Sequence, residues 1–408
     1  MESLVVDRRT ICLPFPSKED YEQCMQEPNT FRQFLNETYA RHPELFPRVM
    51  AQSFTLHSFT RPSKKQSGFR MRRIELKDGS VFQILPSFMM PYLIAPTDEV
   101  EKALFLCKWD VPYWALTYVF GRNDMFWYRA HLSFGRNSIV GTTVKDPARM
   151  PEDLAADEKH TRLLGEKIFV ATTVAKECIL GVGLCESAST EDLTKGYSHF
   201  KEEAMNLKPD YQPKTVNTDG FEATRAAWKK LFPGITLILC FLHAFLKIRD
   251  RCKRHKELFR TVSEKVWEIY HATTKAQFSQ RVRRLRQFAT TISIEPVKEK
   301  VLSLCDKAPE FKEAFSHPKC YRTSNCLDRL MDYQDRTLYS MRYFHGHKES
   351  ALLHLRSMAL LWNFHPYSTR SRHEGIGASP FEEFNGFQYH PNWLQNLLVA
   401  ASLGGWRT

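Results

Sequence analysis

Three aspartates stand where acid chemistry could be done. Asp157 ends a short apolar run, Leu154-Ala155-Ala156, that reads as a strand, and Asp219, followed by Gly220, ends another at Thr215–Thr218. Asp328 lies 109 residues beyond Asp219, in a helix expected to begin near Ser324 with Leu327, Leu330, Met331, Leu338 and Met341 as its apolar stripe. A single aspartate at a strand end carries little weight, because loops favour that residue. Three carboxylates meeting at one sheet edge are different. They can hold two divalent cations about 3.5–4 Å apart, which activate a water or a 3′-hydroxyl and stabilise the departing oxygen of a phosphodiester. Such hard oxygen ligands suit Mg²⁺, or Mn²⁺ in its place.

The elements that must position these acids follow from the local pattern. After Asp157 come two β-rich runs, Lys167–Val174 (KIFVATTV) and Cys178–Leu184 (CILGVGL). A helix starts at Ser189-Thr190-Glu191-Asp192 and runs to about Leu207. A strand at Thr215–Thr218, a helix at Phe221–Leu231 stopped by Pro233-Gly234, and a buried strand at Ile235–Cys240 complete the series. The order β-β-β-α-β-α-β predicts an α/β mixed sheet covered by helices. It is the element order of a ribonuclease-H-like core, whose acids sit on the first strand and at the end of the fourth. From Cys240 onward the pattern turns helical, at Leu242–Lys256, Thr261–Tyr270 and Ala276–Ala289. An all-helical insertion explains the gap before Asp328 better than a structureless loop.

Upstream, residues 17–60 read as short helical pieces broken by Pro28, Pro43 and Pro47. Arg72–Leu76 and Val81–Leu85 flank Lys77-Asp78-Gly79-Ser80 and read as a hairpin. Residues 97–135 form three short helices, the last (NDMFWYRAHL) rich in aromatic residues and flanked by Arg122, Arg129 and Arg136. Such a unit can lay its last helix in a DNA major groove; equally, Phe126, Trp127 and Tyr128 can simply build a helical core. The expected divisions are an α+β region at 1–96, a helix-turn-helix-like region at 97–150, the first part of the core at 151–240, a basic insertion at 241–322 and the last part at 323–408.

Charge points to a partner. Of the net +12, residues 241–330 hold +10, from 20 basic and 10 acidic side chains. Arg251, Arg254, Arg281, Arg283 and Arg284 lie there, in a pattern suited to a polyanion such as nucleic acid. The chain has 43% hydrophobic residues and no apolar run approaching the ~20 residues of a membrane span. A folded, cytoplasmic protein without a membrane partner is the expectation. Ten scattered cysteines without a Cys-x-x-Cys pair read as free thiols. Cys240-x-x-His243 offers two ligands, too few for structural zinc.

The runs TVNTDGFEATRAAWKKLFP…CFLHAFLKIRDR, ADEKHTRLLGEKIFVATTV and YRTSNCLDRLMDYQDR resemble bacterial insertion-sequence transposases of the DDE class, the mutator-like group above all. The resemblance spans roughly residues 150–365. It implies a Mg²⁺-dependent DNA strand-transfer enzyme working as a homo-oligomer on transposon ends and target DNA, associated with the nucleoid. Asp157 and Asp219 would be the first and second acids, and His243 would lie near the scissile phosphate. The family commonly has Glu as third acid; here the matching position is Asp328, with Asp332 one turn on as the alternative. Trp267 would stack on a distorted base, unless it packs between helices. Two other readings remain: a catalytically idle DNA-binding derivative, and a ribonuclease-H-like nuclease without strand transfer.

Overall fold

The computed structural model describes residues 9–62, 68–91, 95–371 and 377–406. Its first sheet is assembled from both ends of the N-terminal region. β1 (Thr10–Leu13) is followed by α1 (Lys18–Gln26), capped by the Ser17 side chain, and by α2 (Pro28–Arg41), with Pro28 in its first turn. β2 (Phe54–Phe59), β3 (Arg72–Leu76) and β4 (Val81–Pro86) then join β1 in the order β1-β4-β3-β2. The Asp-Gly hairpin forms as expected, with Gly79 at φ +79°. The helical reading of residues 17–60 fails at β2. There Phe54 and Leu56 alternate with exposed Thr55 and His57, the two-residue period of an edge strand.

Three helices follow as expected: α3 (Thr97–Cys107), α4 (Tyr113–Phe120) and α5 (Asp124–Ser133), then the short α6 (Ile139–Thr143). Trp127, Ala130 and His131 of α5 are buried.

The second sheet carries the acids. β5 (Asp153–Leu163), β6 (Glu166–Ala175) and β7 (Cys178–Cys185) form an antiparallel meander. After α7 (Thr190–Leu207), β8 (Thr215–Thr218) adds parallel to β5; after α8 (Glu222–Leu231), β9 (Thr236–Leu239) adds parallel to β8. The strand order is β7-β6-β5-β8-β9. The expected strand Leu154–Asp157 proves to be 11 residues long. Its charged second half, Asp157 to Arg162, lacks an apolar period and is held by the backbone ladder to β6. One face of the sheet packs Leu154, Ala156 and Leu180 against Tyr197 and Phe200 of α7 and Trp228 of α8. Gly183 permits that approach: a Cβ there would meet the Gly196 carbonyl oxygen at 2.2 Å.

The insertion comprises α9 (Phe241–Arg251), α10 (Lys256–Tyr270), α11 (Lys275–Ala289), α12 (Glu295–Asp306) and α13 (Ala308–Lys312). It has its own core, including Ile248, Val262, Val266, Phe278, Leu285 and Val301. The expected helix Leu242–Lys256 stops at Arg251 because Cys252 leaves helical geometry at ψ 0°. The chain returns to the sheet through α14 (Asn325–Ser340), followed by α15 (Lys348–Phe364), α16 (Pro380–Asn385) and α17 (Trp393–Ala400). Asn363 of α15 seals the outer edge of β7, accepting from Ile179 N and donating to Ile179 O, both at 2.8 Å. The N-terminal sheet shares one apolar core with α14, α15 and α17 rather than keeping its own. No helix among the described residues is long and apolar enough to cross a membrane.

A buried ion pair ties these layers together. Arg356 of α15 meets Glu203 of α7 at 2.5 Å and also donates to the carbonyls of Gly135 and Asn137 at 2.8 and 2.7 Å. Glu203 accepts from the Ser138 hydroxyl and from Val140 N, each at 2.9 Å. Removing one partner strands the other charge in the interior. Arg356→Ala is therefore predicted to cost on the order of 3–5 kcal/mol, and Arg356→Met combined with Glu203→Leu much less; thermal melting of both variants checks the order.

Candidate active site

The register of two parallel strands sets the site. β5 and β8 pair Asp153 with Thr215, Leu154 with Val216 and Ala155 with Asn217. Two further residues along each strand are Asp157 and Asp219, which therefore stand at matching positions on neighbouring strands spaced about 4.8 Å apart. β8 ends at Thr218, so the strands part at the acids. Asp219 turns into Gly220, at φ +89°, and accepts from Phe221 N at 2.8 Å.

Asp328 is brought in by a different device. The segment before α14 is stitched across the ends of β8 and β9. Asn217 donates to the Tyr321 carbonyl at 2.9 Å, and Phe241 N donates to the Arg322 carbonyl at 3.0 Å. The Cys240 thiol donates to Ser324 Oγ at 3.4 Å, and Ser324 Oγ donates to Asp328 Oδ1 at 3.1 Å. Asp328 thus sits in the first turn of α14, where the helix dipole favours a negative charge. Its charge, like that of Asp219, reaches Asp157. Asp332 does not: its side chain is 72% exposed and pairs with Arg336 at 3.5 Å.

Electrostatics mark the centre. Asp157 is raised from 3.8 to about 6, first by burial, then by the charges of Asp219 and Asp328, against the lowering influence of His243. His243 Nε2 lies 3.9 Å from Asp157 Oδ2. The imidazole is raised to about 9, by Cys240 first and also by Asp157 and Asp219, which together overcome burial. His243 Nδ1 is buried without an aligned hydrogen-bond partner among the described residues, so Cys240 acts on it through proximity and charge. Burial raises the Cys240 thiol, but His243 outweighs it and leaves the thiol below its usual value.

One residue escaped the sequence reading. Glu158 follows Asp157 on the opposite face of β5, accepting from Tyr197 Oη at 2.5 Å and Thr224 Oγ1 at 2.7 Å. Burial raises it to about 7, with Asp157 and Asp219 adding to the effect. The available signal was its place two residues after Ala156, on the face that packs under α7 and α8.

The DNA-directed candidates are dispersed. Arg122 is engaged bidentately by Glu99 at 2.7 and 2.9 Å. Arg129 and Arg136 are exposed, on α5 and in the turn after it. Arg251, Arg254, Arg283 and Arg284 are exposed on the insertion, whereas Arg281 donates to the Glu268 carbonyl. Trp267 packs half-buried among Phe245 and Tyr270, with ring centroids at 5.0 and 5.2 Å. All ten cysteines are free thiols.

By donor chemistry the three aspartates fit a hard divalent cation, and a cation beside Asp157 would offset the burial and the neighbouring negative charges that raise its proton affinity. Among the described residues no three His, Cys, Asp or Glu side chains stand together in metal-holding geometry. The raised acids give a pH prediction. Asp157 and Glu158 bind protons more tightly folded than unfolded, so their contribution to stability is present below about pH 4 and lost as pH rises through about 6 and 7. In chelator-treated protein, Asp157→Asn should raise the melting temperature by a few degrees near neutral pH and change it little near pH 4. A lower melting temperature near neutral pH would contradict burial as the dominant cause. No protein-family model matches the chain, and no curated protein is significantly similar to it.

Proposed function

We propose that the chain is a DDE transposase built on a ribonuclease-H-like core. In this reading it binds the terminal inverted repeats of a mobile DNA element as a homo-oligomer, cuts at their ends and joins the 3′-hydroxyls to target DNA. It would act on nucleoid DNA in the cytoplasm. The observation that carries the proposal is the matched register of Asp157 and Asp219 on adjacent parallel strands, with Asp328 delivered to the same electrostatic unit from beyond a basic helical insertion. The strand order β7-β6-β5-β8-β9, with only β6 running against its neighbours, supports the core assignment.

The residues divide the work. Asp157, Asp219 and Asp328 would hold Mg²⁺ or Mn²⁺, which supplies activation of the attacking oxygen and stabilisation of the departing one. Ser324 steadies Asp328 through its hydrogen bond. His243, whose proton affinity is raised by Cys240 and by the acids, would bring a positive charge beside Asp157, suited to a phosphate oxygen. Tyr197 and Thr224 hold Glu158 behind the centre. The exposed arginines of the insertion contribute phosphate contacts, which add affinity without reading bases.

Two experiments test the reading. With Mg²⁺ and DNA bearing the inverted repeats that flank the coding region, the wild type should nick at the element ends and transfer the strand. Asp157→Ala and Asp219→Ala should abolish both reactions while DNA binding changes less than about twofold. Asp328→Asn should be nearly inactive, Asp328→Glu partly active and Asp332→Asn active; a dead Asp332→Asn beside an active Asp328→Asn would move the third acid one turn along. Cutting without strand transfer would make the protein a nuclease instead. Separately, neutralising Arg251, Arg254, Arg283 and Arg284 together should weaken binding to every DNA sequence and reduce the slope of log affinity against log salt by up to about 3.6. A loss confined to the repeat sequence would contradict a phosphate-contact role.

A further inference from the structure

Beyond the acids, β5 and α14 continue side by side and leave an open groove of about 790 Å³ between them. We propose that this groove holds a single strand of DNA that has left the duplex beside the acid cluster. The proposal rests on the DNA reading given above and deepens it by naming where an unpaired strand would run.

Four observations carry it. The first is position. Asp157, Lys159 and Thr161 alternate along one face of β5, while α14 runs from Asp328 to Tyr339, so groove and acids share both walls. At about 3.3 Å per residue, Thr161 lies some 13 Å along the strand from Asp157.

The second is charge. Lys159, Arg162, Lys167 and Arg336 line the groove; Lys159 is paired with Asp335 and Arg336 with Asp332 and Asp110, so Arg162 and Lys167 carry its net positive charge. The third is a pair of aromatic rings, Tyr339 and Tyr343. Tyr339 is 76% exposed, and Tyr343 is held at φ +70°, a conformation that bulky side chains rarely adopt. The fourth is an unsatisfied group. Thr161 lines the groove at 2% exposure, yet its Oγ1 has no hydrogen-bond partner among the described residues.

These features select the ligand. Cations and an unpaired hydroxyl suit phosphate oxygens, and exposed tyrosine rings suit base faces. A duplex hides its base faces in the stack, so the rings favour an unpaired strand. The groove also has an end: Leu163 bridges to Phe344, with Phe344 N donating to the Arg162 carbonyl at 3.1 Å and Leu164 N to the Phe344 carbonyl at 2.8 Å.

The test uses the full chain in chelator, with a fluorescent oligothymidine of about twelve nucleotides and a blunt duplex of the same length as probes. Oligothymidine should bind more tightly than the duplex. Tyr339→Ala should weaken it about tenfold and Tyr339→Phe should not. Arg162→Ala with Lys167→Ala should lower the salt slope for the single strand by about 1.4. All three side chains are exposed, and unchanged melting curves confirm folding. Photo-crosslinking of 4-thiothymidine in the probe should map to Tyr339 or Tyr343. Unchanged affinity in the Tyr339→Ala variant, equal losses for single strand and duplex, or equally good competition by an oligoglutamate peptide would each overturn the proposal. The two readings fail separately. A protein that binds oligothymidine through the groove but never cuts DNA loses the transposase assignment and keeps the groove; one that cuts element ends while the groove variants bind normally loses the groove alone.

Discussion

Everything at the acid centre depends on one alignment, the parallel pairing of β5 with β8 in the frame that sets Ala155 against Asn217. A slip of one residue would turn Asp219 to the opposite side of the sheet from Asp157, because side chains alternate along a strand. The frame is protected by burial: Leu154 and Ala156 face α7 and α8, and Ala155 faces the other core, so no slip leaves both faces apolar. Core packing thereby enforces the geometry of two carboxylates that would otherwise repel each other. The early end of β8 matters equally, since it lets the strands part where the acids begin.

The second constraint is a crossing of the chain. Asp328 is 109 residues from Asp219, yet the segment 321–324 is bonded directly to the ends of β8 and β9. Cys240 and Ser324 form the joint. Cys240 immediately precedes α9 and Ser324 immediately precedes α14, so the two helices leave the sheet from one point and carry His243 and Asp328 with them. Burial first, and then the neighbouring negative charges, raise the proton affinities of Asp157 and Glu158, while Cys240 and the acids stabilise the protonated form of His243.

How much of this could be read from the residues alone varies with the range of the interaction. The Asp-Gly hairpin, the run β6–β7, helix α7 and the placing of Asp219 just after a strand are local matters of turn chemistry and apolar period, and they were legible. So was the first-turn position of Asp328. The second half of β5 was not, because its Asp-Glu-Lys-His run is held by a partner strand instead of by its own hydrophobicity. Glu158 was missed for a related reason: its partners Tyr197 and Thr224 are 39 and 66 residues away. The same distance effect governs the arginines. Nothing in the sequence beside Arg122 announces Glu99, nor beside Arg281 the Glu268 carbonyl. Short-range chemistry names the candidate side chains; long-range pairing decides which of them stay available.

The backbone bond between Phe241 N and the Arg322 carbonyl, at 3.0 Å, has a consequence for how such a chain can change over time. It brings the entrance and the exit of the five-helix insertion together, so the sheet is indifferent to the length of what lies between. With its own interior around Val262, Val266 and Phe278, the insertion is a module plugged into a single socket. Closing a longer or shorter excursion at that socket changes the entropy only logarithmically, about 0.6 kcal/mol per doubling of length. The geometry of the acids and the exposed surface of the insertion can therefore diverge independently, the one held by the socket and the other free to be exchanged.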